Sequence, residues 1–251
     1  LPAYGFYSFR LAADVEVPSW HEDRLPRAAL PVLVLVEGWQ AMGKSKGDAN
    51  QVRRLIASRT HDPLQKEVLA PYIESKRWYA AKGRPIESID LQTEGEWLTP
   101  YGSWLLTLLS VKPEGEAPQL YSLPLGLAWE RGGEDQKLLA LGAWTLAKVR
   151  QREREGILYG ALGDGDFCHA LLAAIGENAE IEFGGGKLKF RSTSAFARLT
   201  EGVMEEPVLH PSLEQSNTSV LFGNKLFLKA YRRVHEGMNP ELEMGQFLTE
   251  T

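Results

Sequence analysis

Apolar and polar positions change period several times along the chain. Tyr4 to Leu11 alternates aromatic or apolar residues with small or polar ones, which predicts a strand with one buried face. A polar stretch with Pro18 and Pro26 reads as a linker, and Pro31 to Glu37 then forms an apolar strand. From Gly47 the spacing becomes helical. Val52, Leu55 and Ile56, then Leu64, Val68, Leu69, Tyr72 and Ile73, predict helices over 51–59 and 63–75. Period-two segments follow at Ile86 to Gln92, Gly102 to Lys112 and Gln119 to Leu125, with turns between them. Lys137 to Arg150 reads as a hydrophobic strand running into polar sequence.

A short helix is expected over 166–175, with Asp164 or Asp166 as its N-cap. The glycine run Gly184 to Gly186 predicts a turn into a strand at 187–191. Near the end, Ser219 to Gly223 and Lys225 to Tyr231 are apolar strands joined at Gly223-Asn224, a favourable hairpin turn. Asn239 as cap and Pro240 at the first helical position start a final helix. The fold class is α+β, mostly antiparallel sheets flanked by helices.

Composition narrows the function. The 251 residues are 43% hydrophobic, enough for a sizeable core. No apolar run approaches the roughly 20 residues of a membrane-spanning helix. The net charge of −5 and the lack of a basic stripe argue against nucleic acid as a partner. Cys168 is the single cysteine, and the five histidines are scattered, so no metal site is expected. One thiol fits a reducing compartment, with the cytoplasm as the default. The tryptophans at 78, 97, 104, 129 and 144 read as core or surface residues, and Gly163 to Asp166 as a turn and helix cap. Both termini fall inside patterned sequence, and the chain is expected to continue at each end.

Two segments have the makings of a nucleotide site. Gly38-Trp39-Gln40-Ala41-Met42-Gly43-Lys44-Ser45 matches G-x-x-x-x-G-K-S after an apolar strand, the pattern that wraps phosphates in backbone N–H groups. However, Gly47 would sit in the helix that should follow, and no later strand ends in a metal-binding aspartate. The second segment is the loop, hairpin and helix from Glu214 to Glu250. Kinases use a loop over the phosphates, a strand lysine and a helix glutamate that orients it. Here Lys229 on the strand and Glu243 on the helix fill the last two roles.

Taken together, Glu214 to Val220, Leu228 to Arg233 and Asn239 to Glu250 resemble the N-lobe of bacterial maltokinases. Arg77-Trp78-Tyr79-Ala80-Ala81-Lys82-Gly83-Arg84 is similar to the start of that family's cap, and Tyr121 to Leu125 to a later strand of it. Residues 1–12 resemble the last strand of the C-terminal β-domain of trehalose synthase, which occurs fused to maltokinase. The resemblance implies three parts: 1–28, the end of the synthase-like domain and a linker; 29–125, the cap; 126–251, an intermediate subdomain and kinase-like N-lobe, ending before the C-lobe. It implies ATP and Mg²⁺ as cofactors, maltose as substrate and a trehalose synthase partner. Gln215, Ser216, Asn217, Thr218 and Ser219 would form the phosphate loop, with Lys229 on the phosphates and Glu243 paired to it. The catalytic base belongs to a His-Gly-Asp motif of the C-lobe, which this sequence lacks, so the chain alone is expected to be inactive. The alternatives are a non-catalytic module that links the two enzymes or assembles a homo-oligomer, and a nucleotide hydrolase using Lys44.

Overall fold

The computed structural model describes residues 30–35, 62–130, 136–211 and 217–250. Those from Pro31 onward belong to one compact unit. The strand expected at 4–11, the Gly38 to Ser45 segment, the helix expected at 51–59 and Glu214 to Ser216 lie outside the described residues.

In chain order, strand β1 (Val32–Val34) precedes a wide-turned helical stretch, Leu64–Leu69, that runs on into helix α1 (Ala70–Ser75). Strands β2 (Ile86–Thr99), β3 (Gly102–Pro113), β4 (Gln119–Ser122) and β5 (Leu125–Trp129) follow. Helix α2 (Gln136–Ala140) leads to β6 (Thr145–Gln151), β7 (Arg154–Gly160) and helix α3 (Gly165–Gly176). Then come the hairpin β8 (Glu180–Phe183) and β9 (Gly186–Lys189), and short helix α4 (Phe196–Leu199). The last part holds β10 (Val208–Leu209), β11 (Thr218–Phe222), β12 (Leu226–Ala230), β13 (Arg233–Val234) and helix α5 (Pro240–Glu250).

The fold is α+β, with eight strands in one sheet ordered β1-β6-β7-β5-β3-β4-β13, and β2 added to β3. All its pairs are antiparallel except β1 with β6. β10, β11 and β12 form a separate antiparallel sheet. The expected boundary between 125 and 126 falls inside β5, which pairs with β7 from Leu125 to Trp129.

Three apolar clusters hold these layers together. Leu64, Val68, Leu69 and Ile73, each at most 2% exposed, cover one face of the large sheet. On helix α3, Phe167, Ala170 and Ala174 meet an aromatic cluster with Trp97, Trp104 and Phe190. Cys168 and Leu172, on another side of the same helix, pack against Val220 and Phe222 of the small sheet. A helix lying between two sheets must be apolar on both sides. This explains why Cys168 is fully buried, and burial first, then the Asp164 carboxylate, push its thiol up to about 12.

Two elements differ from the sequence expectation. β2 continues seven residues past Gln92, through Glu94-Gly95-Glu96, because it pairs with β3 all the way to Thr99↔Gly102. The segment 137–150 is split: α2 and a turn at Gly142–Trp144 precede β6, and only from Thr145 does the chain enter the sheet.

Candidate functional site

The β11–β12 hairpin shows strict alternation. Thr218, Val220 and Phe222 turn inward and are buried, while Leu226 and Leu228 pack on the same core from the second strand. Period two therefore puts Ser219, Leu221, Phe227 and Lys229 on the outer face. Register pairs Ser219 directly with Lys229, and Leu221 with Phe227, which is 56% exposed. The outer face thus combines a hydroxyl, a cation and an apolar patch.

Lys229 is held in place from helix α5. Its Nζ donates to both carboxylate oxygens of Glu241, at 2.7 Å each. The Tyr231 hydroxyl donates to the same carboxylate, and the lysine lies 5.1 Å from the tyrosine ring centre. The hydrogen bond that Lys229 donates to Glu241 raises the lysine's pKa and lowers that of the carboxylate. The lysine stays charged. Asn239 fixes the carboxylate's position, since its side-chain oxygen accepts from the Glu241 backbone N–H at 2.9 Å and starts the helix there.

The expected site residues fare differently. Lys229 and Ser219 share the outer face. The pairing expected of Glu243 is made by Glu241 instead. Two residues along a helix turn the side chain by about 200°, so only one of these carboxylates can face the strand, and Glu243 is exposed. Thr218, expected in the phosphate loop, is buried, and its hydroxyl accepts from Arg232 Nε at 2.9 Å. Asn217 is half-buried just before β11, and Gln215 and Ser216 lie outside the described residues. Among the described residues no cluster of three or more His, Cys, Asp or Glu is placed to hold a metal ion.

Sequence reasoning missed Arg232. It is 1% exposed and lies 5.5 Å from the centre of the Trp78 ring, while its carbonyl accepts from the Ser122 backbone N–H. Trp78 and Tyr79 both pack on Tyr121, and the Tyr121 hydroxyl accepts from the Ala80 N–H. Three segments far apart in sequence (77–80, 121–122 and 232) therefore meet at one point. The apolar neighbourhood of an arginine beside a strand lysine was the available signal, in Lys229-Ala230-Tyr231-Arg232.

Residues 72–164 match the family model of the maltokinase N-terminal cap domain. This stretch is similar to a maltokinase cap. It begins in helix α1, takes in β2 to β7, and ends on Asp164, the N-cap of helix α3. The cap's large sheet is therefore closed at one edge by β13, a strand from beyond the matched residues, whose Arg233 and Val234 pair with Tyr121 and Leu120. The cap-like stretch and the hairpin bearing Lys229 are joined through this strand and through Arg232, and the match supports a maltokinase-related role.

Proposed function

We propose that this chain is the N-terminal part of an ATP-dependent maltokinase, transferring the terminal phosphoryl group of ATP to the anomeric hydroxyl of maltose. The match of 72–164 to the maltokinase cap carries this reading. The hairpin supports it. A charged lysine, fixed by a carboxylate and set opposite a serine on an open strand face, suits the phosphates of a nucleotide. The exposed Phe227 and the half-buried Leu221 opposite it offer an apolar surface for a base. These features support ATP as the ligand of the outer face. The described residues offer no ligand set for Mg²⁺, and the sequence holds no His-Gly-Asp motif. Base and metal ligands are assigned to a further lobe, so the 251 residues alone should not turn over. In this reading residues 1–28 join the kinase to a trehalose synthase, and the product feeds α-glucan synthesis in the cytoplasm.

Isothermal titration of ATP into the kinase with its C-lobe, carrying Lys229→Met or Lys44→Met, separates this from a hydrolase using the Gly38 to Ser45 segment. Lys229→Met should weaken ATP at least about tenfold, the loss of one charge-assisted contact, and Lys44→Met should leave it unchanged. The reverse pattern would overturn the assignment.

A further inference from the structure

A cavity of about 690 Å³ opens on the cap, lined by Tyr101, Trp104, Trp129, Lys137, Arg154, Tyr159 and Asp164 among others. That volume lies within the roughly 300–1,000 Å³ of small-molecule sites. Its back wall is fixed by a buried carboxylate. Asp164, 4% exposed, accepts from the Tyr159 hydroxyl at 2.6 Å and the Trp104 indole N–H at 3.4 Å, and it caps helix α3 through the Asp166 N–H at 3.1 Å. Lys137 spans the mouth, with its Nζ 3.2 Å from Asp164 and 2.8 Å from Asp166. The Arg154 guanidinium carbon lies 4.4 Å from the centre of the Trp129 ring, a cation–π contact. The small residues Gly102, Ser103 and Ala128 also line it.

The lining chemistry selects among ligands. A metal ion is disfavoured, because the lysine ammonium occupies the space between the two aspartates. A phosphate or carboxylate is disfavoured too: Glu130, Asp164 and Asp166 outnumber Lys137 and Arg154. A neutral ligand that both donates and accepts hydrogen bonds, and shows an apolar face to aromatic edges, satisfies the whole set. We propose that this cavity binds a saccharide on the cap, away from the outer face of the β11–β12 hairpin. The inference rests on the cavity alone and does not depend on the kinase reading.

Maltose and maltotetraose, titrated into the 251-residue chain labelled with ¹⁵N-tryptophan, test it. The Trp104 and Trp129 indole signals should shift on saccharide addition, while ATP and inorganic phosphate leave them in place. Arg154→Ala and Tyr101→Ala, both at exposed positions, should weaken the saccharide about tenfold with melting temperature unchanged. Shifts caused by phosphate or ATP and not by saccharide would overturn the proposal. So would the absence of any shift at these two indoles, or saccharide affinity indifferent to both substitutions.

Discussion

Asp164 carries much of the buried polar network beside helix α3. Two buried donors, a backbone N–H and a lysine converge on it. Asp164→Ala would leave the Tyr159 hydroxyl and the Trp104 N–H without their acceptor. Buried donors left unpaired cost about 1–3 kcal/mol each and a lost N-cap about 1 kcal/mol, so the loss should be about 3–7 kcal/mol. Urea unfolding measures it directly, and a loss under about 1 kcal/mol would mean that the network contributes little. The capping role was legible, because an aspartate ahead of an apolar periodic run is a helix-start signal. Its buried partners were not. Tyr159 reaches Asp164 because Gly126, opposite it on β5, has no Cβ: one there would lie 2.2 Å from the Tyr159 ring. Such a fit depends on the register of two strands, which no local pattern states. Lys229 shows the same limit. The cation and its strand were readable, but choosing Glu241 over Glu243 required the angle at which the helix meets the sheet.

Elements with a clean period were readable from sequence. Helix α3, helix α5, the β11–β12 hairpin and strand β3 fall within a few residues of expectation. Failures came where tertiary pairing overrode composition. The Glu94-Gly95-Glu96 stretch looks like a turn, yet it stays in β2 because the long partner β3 supplies a ladder for it. Gly95 also lets that strand pass the β8–β9 hairpin, where a Cβ would lie 3.3 Å from the Phe183 ring. Turn and helix also interlock around Trp144. A Cβ at Gly163 would lie 2.1 Å from its indole Cγ, so the turn entering helix α3 is sized to that ring. Gly163→Ala should destabilise by about 1–3 kcal/mol, as overpacking does. A scanning calorimeter would register a lower melting temperature, and an unchanged one would mean that the indole moves aside freely.

At the scale of the molecule, the cap is built into the part that carries Lys229. β13 extends the cap's sheet, and Arg232 lies between Thr218 at the start of the hairpin and Trp78 in the cap. The β13 pairing and the Arg232–Trp78 contact join residues inside the matched span 72–164 to residues beyond it. The family resemblance was legible in the short segments 77–84, 121–125 and 228–233, and parts of all three come together around Arg232. What those segments have in common is packing, so they report the architecture and leave the chemistry to be tested. No described helix is long and apolar enough to cross a membrane.

We propose phosphoryl transfer to maltose by a kinase that includes this chain. ³¹P NMR of that protein with Mg-ATP and maltose, and in parallel with glucosamine, tests it most directly. An anomeric sugar phosphate from maltose and none from glucosamine is the expected result. Product from glucosamine alone, or from neither sugar, would contradict it.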